Sequence, residues 1–137
     1  MPKVAATHRI DAPRELVWAI VADPERFGEW WPGVASVEPG RRGLVPGARW
    51  RIEGESRGRY LRRPLPAGEL LVLEVRIAER VAFQLTGDRI DVELVLRDDD
   101  GGTAAELVLD SPPLIGMRRA FPGSVLRALD AAAAQQG

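Results

Sequence analysis

Hydrophobic and polar residues alternate with a period of two through most of the second half of the chain. Leu71, Leu73, Val75 and Ile77 share one face, followed by Val81, Phe83 and Leu85, then Ile90, Val92, Leu94 and Leu96, then Ala105, Leu107 and Leu109. Period two is the signature of strands with one buried face, so strands are predicted over 70–77, 80–86, 90–97 and 103–110. Turn residues separate them at Ala78-Glu79, Gly87-Asp88 and Asp98 to Gly102, in hairpin order. This parity turns Leu70 and Val72 outward, which points to a covered or dimeric surface. Further upstream, residues 48–54 alternate with Ala48, Trp50 and Ile52 on one side and Arg49, Arg51 and Glu53 on the other. A short strand is expected over 34–38 and a first strand over 3–10, where Val4, Ala6, His8 and Ile10 share a face. Residues 57–68 carry Pro64 and Pro66 and are expected to be a strand end and a loop over the sheet edge.

The pattern changes to helical spacing twice. After Ile10, Asp11 is placed to cap a helix, Pro13 to occupy its first turn and Glu15 to add favourable charge there. Leu16/Ile20 and Val17/Val21, with Trp18 between them, give that helix one buried face. It should end near Ala22, because Asp23-Pro24 repeats the start signal for a second short helix over 24–29, which stops at Trp30-Trp31-Pro32. At the other end, Leu114, Met117, Phe121, Val125, Ala128 and Ala132 predict a helix over 113–134, kinked or split at Pro122. The sum is an α+β fold in which an antiparallel, strongly bent sheet of about seven strands grips a long C-terminal helix, in the order β-α-α-β6-α. Two short helices meeting at an elbow close one end.

At 137 residues and 45% hydrophobic composition, the chain is expected to be one domain over 1–137. Cysteine is absent, which removes disulfides, thiolate nucleophiles and Cys-ligated metals. A single histidine removes His-rich zinc sites, so no metal and no cofactor is expected. No apolar run approaches the ~18 residues of a membrane span and no signal pattern opens the chain, so a soluble cytoplasmic protein is expected. The net charge of −1 is unevenly spread. Between Arg41 and Arg63, eight arginines face only Glu53 and Glu55. Arg49 and Arg51 lie on the outer face, whereas Arg41, Arg42, Arg57, Arg59, Arg62 and Arg63 fall in loops or strand ends, as an entrance collar would. Such a collar could hold a carboxylate or phosphate, or steer an acidic carrier protein; a solvated, salt-bridged outer face is the plainer reading. Nucleic acid is not expected as a partner, because interleaved exposed aromatics and overall basic charge are missing.

Ile10, Ala12, Pro13, Val17, Trp18, Asp23, Pro24, Trp30 and Pro32, with Val45-Pro46-Gly47-Ala48-Arg49-Trp50 and Gly102-Thr103, carry a resemblance. Together they resemble the polyketide cyclase/dehydrase-like group of the START/Bet v 1-like (SRPBCC) superfamily, over essentially the whole chain. The resemblance implies the helix-grip fold and a cavity of about 300–1,000 Å³ between sheet and C-terminal helix. It also leaves activity open, since the superfamily includes lipid carriers, hormone and allergen pockets, aromatases and cyclases, and co-chaperones.

With that cavity, the expected ligand-binding side chains are Trp30, Trp31, Trp50, Leu73, Phe83, Val92, Leu94, Leu107, Met117 and Phe121; each would otherwise be plain core. His8 is the one ionisable side chain whose strand parity points inward, a candidate general base or hydrogen-bond anchor, and otherwise a sheet-edge histidine bonded to backbone or water. By parity no carboxylate stands beside it. Tyr60 could donate a phenolic hydrogen bond, and Glu29 is either a rim acid or a solvated helix end. Arg41, Arg42, Arg62 and Arg63 are the entrance candidates. Three functions follow: a binder of a hydrophobic small molecule, lipid-like, polyketide or aromatic, gated by the Pro122 kink and the 57–68 loop; a metal-free cyclase, aromatase or dehydratase in the same cavity; or a protein-interaction module of the co-chaperone type.

Overall fold

The first strand does not pair with the second. In the computed structural model, which describes residues 3–40, 43–54, 68–87, 89–112 and 119–135, β1 (Lys3–Ile10) lies at one edge of the sheet and β2 (Val34–Pro39) at the other. Between them run β7 (Gly102–Asp110), β6 (Ile90–Asp99), β5 (Arg80–Leu85), β4 (Gly68–Arg76) and β3 (Arg49–Gly54), every neighbour antiparallel. Helix α1 (Arg14–Val21), a 3₁₀ turn (Pro24–Arg26) and α2 (Phe27–Trp30) carry the chain from one edge to the other. Helix α3 (Phe121–Ala134) packs on β1 and β7 and against α1 and α2. This is the α+β helix-grip architecture that the alternation predicts, a curved open sheet of seven strands.

Strands β5, β6 and β7 follow the predicted parity: Val81, Phe83, Leu85, Val92, Leu94, Leu96, Ala105, Leu107 and Leu109 are all buried. Strand β4 does not. Leu73 is an extra residue in the ladder, since Val72 pairs with Phe83 and Glu74 with Ala82. Such a bulge reverses the alternation. Leu70 and Val72 face the core before it, each 1% exposed, and Val75, paired with Val81, packs on the core after it; Leu73 is 45% exposed, and Ile77, in the turn past the strand, 77% exposed. Of the expected inward face, Val75 holds, whereas Leu71, Leu73 and Ile77 are corrected, and Leu70 and Val72 offer no surface for a dimer. Four consecutive apolar residues, Leu70 to Leu73, fit either parity.

Helix α1 starts later than its cap signal suggests. Pro13 is the N-cap, in extended conformation, and its carbonyl accepts from the Leu16 and Val17 amides at 3.1 and 3.2 Å. Two constraints hold residues 11–13 out of the helix. Ala12 precedes a proline, which disfavours helical backbone there, and its carbonyl accepts a 2.7 Å hydrogen bond from the buried Thr103 hydroxyl on β7. Asp11 instead ion-pairs with Arg9 at 3.5 Å. The second start signal holds, for the Asp23 carboxylate accepts from the Glu25 amide at 3.0 Å. Pro122 sits in the first turn of α3, where its missing N–H costs nothing, so the described helix begins beside it; residues 113–118 of the expected helix lie outside the described residues. The buried ridge of α3 is Val125, Leu126, Leu129, Ala132 and Ala133, rotated from the predicted one.

Gly102 shows why the β6–β7 turn needs a glycine. A Cβ there would meet the Arg9 guanidinium and the Ile10 carbonyl at 2.7 Å. Arg9 fills that space because it donates to the carbonyls of Asp99 and Asp100 at 3.0 and 3.3 Å, clasping β1 to the turn. The opposite face of the sheet is wet and charged. Arg80 bridges Glu74 and Glu93, and Arg49 pairs with Glu69 at 3.0 Å, so Arg49 lies outside as its parity predicts. Among the described residues, no helix is long and apolar enough to cross a membrane.

Candidate functional site

Phe27, three residues before Trp30 and four before Trp31, places three rings on one face of the short α2. Phe27 meets Trp30 edge-on at 5.1 Å and stacks on Trp31 at 5.6 Å. Trp50 and Phe83 approach Phe27 edge-on from the sheet at 6.4 and 6.0 Å. Trp31 reaches Phe83 at 5.9 Å and Phe121 of α3 at 5.7 Å, so helices and sheet share one aromatic cluster. Each such pair adds about 0.5–1.5 kcal/mol beyond its area burial. Phe27 is the centre of the cluster and is not among the residues the sequence reading names. Its i+3 and i+4 spacing to the two tryptophans is the signal that points to it.

Beside this cluster lies a pocket of about 10 Å³, close to the volume of one water-sized probe. Val21, Phe27 and Trp30 wall it from the helices; Trp50, Leu70, Val81 and Phe83 wall it from β3, β4 and β5; Leu44 closes it from the chain between β2 and β3. Leu44 is the one lining residue that is not fully buried. Among the described residues, no lining side chain is ionisable. The two polar atoms of the lining side chains are the indole Nε1 of Trp30 and of Trp50, both buried and without a hydrogen-bond partner among the described residues. This pocket is far smaller than the expected cavity of about 300–1,000 Å³. The pocket also lies under the short helices, against β3 to β5, and not beneath α3.

The structure brings together Trp30, Trp31, Trp50, Phe83 and Phe121 of the expected ligand-binding set. Val92, Leu94 and Leu107 are buried core side chains that do not line this pocket. Leu73 is a correction, since the bulge turns it to solvent. Met117, Tyr60, Arg41, Arg42, Arg57, Arg59, Arg62 and Arg63 lie outside the described residues, as does most of the 57–68 loop expected to act as a gate.

His8 is half-buried on the inward face of β1, and it has a carboxylate partner after all. Its Nε2 lies 2.8 Å from Asp130 Oδ2 on α3. Strand parity could not reach that residue, because it comes from a helix. His8 pairs across to Ala105 on β7, and β7 and β6 lie between β1 and β5, the nearest strand of the pocket, three strand spacings or roughly 14 Å along the sheet. The dyad and the pocket are separate places. Glu29 is a solvated helix end: Arg26 donates to both its carboxylate oxygens at 3.0 and 2.8 Å. That hydrogen bonding holds the Glu29 carboxyl below its usual 4.5. Among the described residues, no three potential metal-ligating side chains come together.

Over residues 1–136 the chain matches the family of polyketide cyclase / dehydrase and lipid transport proteins. It is a member of that family. Solved structures agree on the fold of this cyclase/dehydrase-family protein. NE0264 from Nitrosomonas europaea superposes with a TM-score of 0.73 at 16% identity, covering 98% of this chain and 96% of that one. TTHA0849 from Thermus thermophilus gives 0.71 at 22% identity, covering 99% of each chain. Ara h 8.0201 gives 0.66 at 10% identity and 98% of each, which makes the family member's fold Bet v 1-like. No curated protein sequence matches the chain.

Proposed function

We propose that this member of the family binds a hydrophobic small molecule in the pocket between α1–α2 and β3–β5. The observation that carries the reading is the lining itself: eight described side chains, none ionisable, where aromatic helix residues face the sheet. In the closed form the pocket holds a water-sized volume, so a guest enters by displacing Leu44, the lining residue solvent reaches. Burying about 250 Å² of apolar guest surface supplies about 6 kcal/mol before ordering costs, enough for weak to moderate affinity. Binding without chemistry is favoured, because proton transfer needs an ionisable group within hydrogen-bond reach of the guest. His8 and Asp130 stand three strands away.

The test is uptake of a neutral apolar dye such as N-phenylnaphthylamine by delipidated protein, followed by fluorescence. Saturable binding of one dye per chain, with a Kd of about 0.1–1 mM, is expected. Leu44→Trp, which plugs the entrance, should weaken it several-fold. Linear, non-saturating uptake that Leu44→Trp leaves untouched would sink the reading.

A further inference from the structure

Trp30 and Trp50 are each 1% exposed, yet neither indole N–H has an acceptor among the described residues. Buried donors are nearly always paired, so two orphans on tryptophans that line one small pocket call for an explanation. An indole nitrogen donates and cannot accept, so the missing partner is an acceptor. The other described lining side chains (Val21, Phe27, Leu44, Leu70, Val81 and Phe83) are hydrocarbon and offer neither a counter-charge nor an acceptor.

Those facts sort the ligand chemistries. An anion would be stripped of water with no cation among the lining side chains to replace it. An alcohol could accept from an indole, but its own proton would find no acceptor there. A water molecule fits the volume and has the same defect with both its protons. A carbonyl oxygen has two lone pairs and no proton, which matches two donors.

We infer that the Trp30 and Trp50 N–H groups select a neutral apolar ligand through a carbonyl oxygen, as a ketone, quinone or ester would present it. This rests on the proposed ligand-binding function and adds the ligand class. The carbonyl oxygen takes the small volume at the floor of the pocket, and the hydrocarbon part of the ligand lies on the side of Leu44.

Four probes of one tricyclic shape separate the possibilities: fluorenone, fluorene, fluorenol and fluorene carboxylate, measured by equilibrium dialysis against the unaltered protein. Fluorenone should bind about tenfold more tightly than fluorene, and more tightly than the alcohol or the acid. Trp30→Phe and Trp50→Phe keep an aromatic but smaller ring and remove the N–H; the lost volume acts on both probes alike, so each should lower the fluorenone-to-fluorene affinity ratio several-fold. Should either variant fail to fold, indole proton–nitrogen NMR of the unaltered protein decides instead. Of the four tryptophan N–H resonances, two should move downfield with fluorenone and stay in place with fluorene. Equal affinity for ketone and hydrocarbon, tightest binding of the acid, or unmoved indole resonances would each overturn the inference while leaving the binding function standing. Absence of saturable binding for all four would overturn the binding function, and this inference with it.

Discussion

His8 Nε2 on the first strand lies 2.8 Å from Asp130 Oδ2 on the last helix, a hydrogen bond between residues 122 apart in sequence. Arg9, next to His8, is already tied to the β6–β7 turn, and Thr103 ties the entry of α1 to β7. The pair adds the third anchor of the β1 edge, the one that reaches α3. Its side chains are 31% and 36% exposed, so solvent weakens it. Asp130→Asn or His8→Gln should each destabilise by about 0.5–1.5 kcal/mol in urea unfolding. The double variant should cost little more than either one. Strict additivity of the two single changes would show that the pair is not coupled.

The bulge in β4 separates two leucines that composition treats alike. Leu70 is buried at 1% and Leu73 exposed at 45%. Leu70→Ala should cost about 2–5 kcal/mol, while Leu73→Ser should stay within about 0.5 kcal/mol. A chemical-denaturation comparison reads both. If Leu73→Ser is the more damaging, the ladder between β4 and β5 is mis-registered.

These two cases show what the sequence reveals and where it stops. Val81, Phe83 and Leu85 alternate with polar neighbours, and so do Trp50 and Ile52, which makes their strands and faces plain. Leu70 to Leu73 gives no polar residue to set the phase, so nothing local marks the bulge. The aromatic floor of the pocket is half legible: the double tryptophan stands out, whereas Phe27 shows only through its helical spacing. Asp130 is the sole acid in α3, set among Leu126, Leu129 and Ala133. Pairing it with His8 requires knowing that α3 lies along β1, and no strand pattern contains that fact.

The Thr103 hydroxyl is fully buried and donates to the Ala12 carbonyl at 2.7 Å. Thr103→Val keeps the shape and removes the donor, leaving a buried carbonyl unpaired. A loss of about 1–3 kcal/mol is expected, read as a lower unfolding midpoint with an unchanged slope. A neutral result would mean that water reaches the Ala12 carbonyl.

Acid sensitivity near α2 has a definite sign. Hydrogen bonds from Arg26 keep the folded-state carboxyl of Glu29 below its usual 4.5. Its contribution is therefore complete above the unfolded value and fades as pH drops through the folded one. The pair is partly exposed, with Glu29 43% accessible, so the contribution stays below about 1 kcal/mol. Glu29→Gln should be slightly less stable than the unaltered protein at neutral pH and converge on it as pH falls below the folded-state value. A gap that persists in acid would point to lost packing instead of lost charge.

The sheet order has a consequence for how the chain is made. Lys3 pairs with Asp110 and Ile10 with Thr103, so the ladder for β1 exists only once β7 has been synthesised. The meander from β3 to β7 can zip up locally, hairpin by hairpin, as it leaves the ribosome. Until then the earliest-made strand waits without a mate, and closing that long ring is the step on which completion of the sheet depends.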